Sequence, residues 1–92
     1  MTKRIVRENA GKEPYEYSPL GRYVVSAPGV CRGRPTFKHT RIEVAGVLER
    51  LGFGHPVEEL VENYQGRVTR QAIAEALALA AKALAKQASP RK

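Results

Sequence analysis

The chain has 92 residues, with sixteen Lys/Arg against nine acidic residues and a formal net charge of +7, which leaves room for one small domain with a thin core. Hydrophobic residues make up 42% and charged residues 27%, a balance that excludes wholesale disorder, and no apolar run approaches the roughly 20 residues of a membrane span. The lone Cys31 excludes an intramolecular disulfide. With no signal peptide in view, the chain reads as cytoplasmic.

The charge is unevenly divided. Residues 1–41 carry a net +6, residues 42–66 a net −4 and residues 67–92 a net +5. A basic chain of this size favours polyanionic partners, nucleic acid first. Any contact with a phosphate backbone is expected from the two basic flanks, with the acidic middle turned elsewhere.

Residues 1–22 are polar and interrupted by Gly11, Pro14, Pro19 and Gly21. Ile5-Val6 could start a short strand, and the rest reads as an N-terminal arm. Arg22 to Ser26 reads as a strand from its β-branched and aromatic content. Pro28-Gly29 signals a turn. Gly33-Arg34-Pro35 breaks any further run, and Pro35 lacks an amide hydrogen, so Thr36-Phe37-Lys38 is expected at a sheet edge.

The first helix is expected over about 44–51, because Val44, Val47, Leu48 and Leu51 fall at i, i+3, i+4, i+7. Gly52 and Gly54 supply its stop. Pro56 suits the start of a second helix, with Glu58 and Glu59 in its first turn. Val57, Leu60, Val61 and Tyr64 form that helix's apolar stripe, and Gln65-Gly66 ends it. Thr69 is a good N-cap for a third helix over 70–87, before Ser89-Pro90. Ile73, Leu77, Ala80 and Leu84 trace a narrow, Ala-rich seam along it. Its C-terminal half outruns what two short helices can cover, so Leu77, Leu79, Ala80 and Leu84 are the expected interface of a homodimer.

The resulting expectation is a mainly α fold: a three-helix, helix-turn-helix type domain over 23–88, preceded by a small β element and the arm 1–22, and followed by a basic tail 89–92. Either the first and second helices or the second and third could form the reading motif. The second helix carries Glu58, Glu59 and Glu62 and no Lys or Arg, which sets it against a phosphate backbone. The third helix starts with Arg67, Arg70 and Gln71 beside it, and Arg and Gln are suited to guanine and adenine edges. The alternative is an ordinary polar helix start.

The loop supplies the second group of candidates. Arg32, Arg34 and Lys38 could line a DNA groove or simply keep an edge strand solvated. Arg41 could reach phosphate, cap a helix, or pair with Glu43 or an acid of the second helix. Cys31, His39 and His55 lack metal-ligand spacing, and nothing orients a Cys–His pair as a nucleophile. No cofactor, metal or catalytic residues are therefore expected, and the chain does not read as an enzyme.

The run P-G-V-C-R-G-R-P-T-F-K-H-T-R-I-E-V, then L-G-F-G-H-P-V-E-E-L-V-E-N-Y, then T-R-Q-A-I-A-E-A-L resembles the small bacterial and archaeal proteins grouped as domain of unknown function 433. Their pattern is G-x-P-x-x-x-G-T-R-I-x-V, a helix, G-x-x-x-E-E-(I/L), an aromatic residue and a final helix with an A-L pair. Gly33, Pro35, Thr40, Arg41, Ile42, Val44, Gly54, Glu58, Glu59, Leu60, Tyr64, Ile73, Ala76 and Leu77 fit. The match covers about Tyr23 to Leu84.

The resemblance implies a helix-turn-helix protein and an antitoxin of the VapB type, paired with a PIN-like ribonuclease toxin. It therefore implies DNA binding for autoregulation, toxin neutralisation, or both. The alternative within this frame is a protein-interaction module that occupies the ribonuclease without specific DNA binding. One position departs from the family pattern: its Gly before Thr-Arg is His39 here. A Gly there implies a turn with positive φ, so His39 marks either a changed turn or a contact residue. The nucleic-acid candidates are thus Arg32, Arg34, Lys38, His39, Arg41, Arg67, Arg70 and Gln71.

Overall fold

A computed structural model describes residues 5–10 and 13–87; the expected tail 89–92 and the Ser89-Pro90 stop lie outside the described residues. Among the described residues, four strands and three α-helices follow in order, with a 3-10 turn at Cys31–Gly33 between the third and fourth strands: β1 (Val6–Ala10), β2 (Glu13–Pro19), β3 (Val24–Ser26), β4 (Thr36–Phe37), α1 (Val44–Gly52), α2 (Val57–Asn63) and α3 (Arg70–Gln87). The strands form one antiparallel meander in the order β1-β2-β3-β4.

The fold is therefore a small α+β domain, and the expectation of a mainly α protein with a minor β element is corrected. The difference lies in residues 6–19. These read as an arm because they are polar and interrupted by Gly11, Pro14 and Pro19. In the fold they form a hairpin with Val6 opposite Tyr17 and Glu8 opposite Tyr15. Its stabilisation comes from cross-strand pairs, a term that hydrophobic periodicity does not register. Arg7 meets Glu16 at 2.7 Å, and the Tyr17 hydroxyl donates to Glu8 at 2.7 Å. Tyr17 is buried, together with Val25 and Ala27.

Strand β3 joins the two halves of the molecule. Successive strand residues face opposite sides of a sheet. Val24 enters the main core with Phe37, Val47, Leu60, Val68 and Ile73. Its neighbour Val25 enters the second cluster under the hairpin. The helices thus cover one face of the sheet and the β1–β2 hairpin contributes to the other.

The helices follow the sequence expectations closely. Thr69 caps α3, its hydroxyl accepting from the Ala72 amide at 3.1 Å. Helix α2 ends as Gln65-Gly66 suggests: Gln65 and Gly66 both take positive φ, and the Gly66 amide returns to the Val61 carbonyl at 3.1 Å. This is the 6→1 closure of a Schellman motif. The edge strand is also found, with β4 at the end of the sheet and the Pro35 carbonyl accepting from the Val44 amide at 3.0 Å.

Helix α3 is anchored to the sheet by Glu75. Its carboxylate accepts three consecutive backbone amides, from Arg22 at 2.6 Å, Tyr23 at 2.7 Å and Val24 at 3.1 Å. The chain just before β3 thus forms a small cradle of N–H groups around one anion. Gly21 makes room for it, since a Cβ there would lie 2.6 Å from the Glu75 carboxyl carbon.

Candidate nucleic-acid interface

The loop between β3 and α1 is built from turns that its residues tolerate unequally. Ala27 accepts from the Val30 amide at 2.9 Å, closing the Pro28-Gly29 turn. Cys31, Arg32 and Gly33 then take φ values of 51°, 57° and 81°. Two overlapping turns, Gly33 to Val30 and Arg34 to Cys31, each at 3.0 Å, hold this left-handed stretch. Ser26 Oγ donates to the Gly33 carbonyl at 2.7 Å and ties it to β3. For non-glycine residues this conformation costs about 1 kcal/mol or more each, so the fold holds Cys31 and Arg32 in place against a local preference.

A second turn covers Phe37 to Ile42. Thr40 is buried, its hydroxyl donating to the Phe37 carbonyl at 2.7 Å and accepting from the Ile42 amide at 3.0 Å. His39 sits at its apex with φ +64°. The turn therefore keeps the positive φ that the family's Gly implies, and His39 occupies it as a contact residue. Its amide donates to the Tyr15 hydroxyl at 3.0 Å, its ring centroid lies 5.0 Å from that of Tyr15, and its Nε2 lies 3.3 Å from Glu8. Of the two alternatives, a changed turn is not found, and the contacts that His39 makes in the fold are to Tyr15 and Glu8 of the hairpin.

The eight nucleic-acid candidates separate by what already holds them. Arg34 is bound in bidentate fashion by Glu43, with both contacts at 3.0 Å. This hydrogen-bonded pair raises Arg34 above its usual range and holds the Glu43 carboxyl below the usual carboxylate range. Arg70 is ion-paired with Glu58 of α2. Lys38 lies 3.9 Å from Glu8 and 5.1 Å above the Tyr17 ring, and Tyr17 is the chief reason its ammonium is held above the usual lysine range.

Arg32, Arg41 and Arg67 make no ion pair among the described residues. Arg41 and Arg67 together line a cavity of about 320 Å³ with Tyr15, Val30, His39 and Thr40. Arg32 follows Cys31, whose Sγ donates to the Arg41 carbonyl at 3.5 Å. Gln71 is exposed on the first turn of α3. Of the partners open to Arg41, neither Glu43 nor an acid of α2 is used: Glu43 takes Arg34, and Glu58 takes Arg70.

The expected dimer residues divide similarly. Leu77 and Leu84 are exposed, at 47% and 66%, and Ala80 is exposed. Leu79 is partly buried against its own core. The residues that face inward along α3 are Ala72, Ile73 and Ala76. Of the seam read as Ile73, Leu77, Ala80 and Leu84, Ile73 meets the core and the other three are exposed.

Sequence reasoning missed Tyr15, Glu8 and Glu75. The alternation Tyr15-Glu16-Tyr17 was the available sign of a strand. Glu75 is the one acid among residues 67–92, and no local pattern links it to amides more than fifty residues earlier. Among the described residues no group of three His, Cys, Asp or Glu is placed to hold a metal ion. No helix of the described residues is long and apolar enough to cross a membrane.

The fold and surface define a small α+β protein with a basic pocket where the hairpin, the β4 turn and the α2–α3 connection meet. The chain belongs to the family described as "Protein of unknown function (DUF433)", whose model matches residues 24–80. The matched span begins at β3 and ends within α3, so the β1–β2 hairpin lies outside it. Neither the curated proteins nor the solved structures contain a match.

Proposed function

We propose that this protein binds DNA, with Arg41 and Arg67 as the central phosphate contacts and Arg32 beside them. The observation that carries this reading is the pairing pattern. Arg34 and Arg70 are already neutralised by Glu43 and Glu58, whereas Arg41 and Arg67 share one open pocket without an acid lining it. Guanidinium groups in such a position can give bidentate hydrogen bonds to phosphate oxygens. The net charge of +7 adds long-range attraction to a polyanion.

The family resemblance extends the proposal to an antitoxin that controls its own operator and neutralises a PIN-like ribonuclease. Co-expression with the neighbouring reading frame, followed by purification through a tag on one chain, tests that extension. Recovery of the tagged chain alone would remove it.

The DNA reading is tested by fluorescence anisotropy with a duplex from the protein's own upstream region. Affinity should fall with salt, and Arg41→Ala/Arg67→Ala should reduce the slope of log K against log salt by about 2. Arg34→Ala should change the slope little, because its charge is already paired. Equal slopes for wild type and the double variant would refute the assignment.

A further inference from the structure

A second surface, separate from the arginine pocket, has no role in the reading above. Helix α3 continues past its buried residues, and every position from Ala80 to Gln87 is exposed. Beside it runs an apolar groove of about 470 Å³, walled by Leu20, Val44, Leu48, Leu79, Ala80 and Ala83. Among the described residues, the charged ones lining it are Arg34 and Glu43, and these neutralise one another.

We infer that this groove is filled by a second copy of the chain, each α3 lying antiparallel along the other in a closed two-fold dimer. Charge complementarity selects this occupant. An acidic segment meets no unpaired cation in the groove, and a basic one meets no unpaired acid. A neutral apolar ridge fits, and the same helix presents one. At helical spacing, Lys82 and Lys86 fall on the other side of α3 from Ala80 and Leu84. The ridge that remains is Leu77, Ala80 and Leu84, on a stretch from residue 77 to residue 87 that rises about 15 Å.

One wall of the groove and the ridge both belong to α3, the other wall coming from Leu20, Val44 and Leu48, so a two-fold axis beside Ala80 seats each ridge in the other's groove. That is the isologous, self-closing geometry a symmetric dimer requires. The exposed Ala80 and Ala83 permit close approach of the two helix backbones, and the exposed Leu77 and Leu84 are covered. Dimerisation also adds buried area to a chain too short to bury much alone.

The test is sedimentation equilibrium of the full chain at micromolar concentrations, together with cysteine cross-linking. Wild type should sediment at twice the mass of one chain. Ala80→Arg should weaken self-association by about tenfold or more, with unchanged far-ultraviolet circular dichroism per chain because position 80 is exposed in the monomer. In a Cys31→Ala background, Ala80→Cys should oxidise rapidly to a linked dimer, since a two-fold axis brings the paired Cβ atoms to about 4 Å. Ala85→Cys, on the solvent side of α3, should not.

A monomeric wild type would overturn the proposal and leave the groove to a foreign partner. So would a dimer that Ala80→Arg leaves intact, or equal cross-linking at positions 80 and 85. None of these outcomes touches the arginine pocket, so the DNA reading stands or falls separately.

Discussion

Gly21 and Glu75 should behave as one unit in a double-mutant cycle. The Glu75 carboxylate takes three amides, from Arg22, Tyr23 and Val24, at 2.6, 2.7 and 3.1 Å. Bonds to a charged acceptor contribute about 1.5–3 kcal/mol each when protected from water. The Arg22 amide is at the exposed end and regains water when the acid is removed. The other two are partly buried, so Glu75→Ala should cost about 3 kcal/mol. That is a large fraction of the total stability of a domain this size, about 5–10 kcal/mol.

Gly21→Ala introduces a Cβ that would lie 2.6–2.8 Å from the Glu75 carboxyl atoms. The carboxylate is the end of a flexible side chain and can swing away, but only by surrendering its amides. The clash therefore cannot cost more than Glu75→Ala itself. Against it stands a gain of about 0.4–1 kcal/mol from restricting the unfolded chain. Gly21→Ala alone should cost about 2 kcal/mol. In the Glu75→Ala background the clash is gone, and the same change should be neutral or slightly stabilising.

Urea denaturation followed by circular dichroism at one fixed protein concentration reads all four corners. With an m-value of about 1–1.5 kcal/mol/M for a chain this short, Glu75→Ala should lower the midpoint by about 2 M, and the double variant should match it closely. Costs that add, with no coupling between the positions, would refute the account of the cradle.

Three other perturbations isolate single features. His39→Gly should be more stable than His39→Ala by about 1 kcal/mol, because only glycine is relieved of the φ of +64°; a thermal melt ranking Ala at or above Gly would contradict this. Thr36 is fully buried and its hydroxyl has no hydrogen-bond partner among the described residues, so Thr36→Val, of the same shape, should stabilise by about 1 kcal/mol in urea titration. The Glu43 carboxyl is held below its usual range by Arg34, so its contribution is complete above the ordinary carboxylate range and vanishes as pH falls through the depressed value. The stability difference between wild type and Glu43→Gln should accordingly be constant near neutral pH and shrink steadily below about pH 4. A difference that grows on acidification would reverse the sign of the linkage.

The three helices could be read directly from the chain because their determinants are local. The apolar spacing of Val44, Val47, Leu48 and Leu51 repeats within two turns, Thr69 caps the residue three places on, and Gln65-Gly66 closes α2 within six residues. The edge position of β4 followed from Pro35 alone, whereas the chain left open whether the turn at His39 keeps the positive φ that the family's glycine implies. The four-stranded sheet was not legible, because Tyr15 and Tyr17 become strand residues only when Val6, Val25 and Ala27 cover them. The same holds for the surface charges. Sequence supplied eight candidate contacts, with phosphate expected mainly at Arg32, Arg34, Lys38, Arg67 and Arg70, and only the folded chain paired Arg34 with Glu43 and Arg70 with Glu58 while bringing Arg41 and Arg67 to one pocket. Helical phase and capping depend on neighbours a few bonds away, whereas ion pairing and strand burial depend on residues that the chain brings together only by folding.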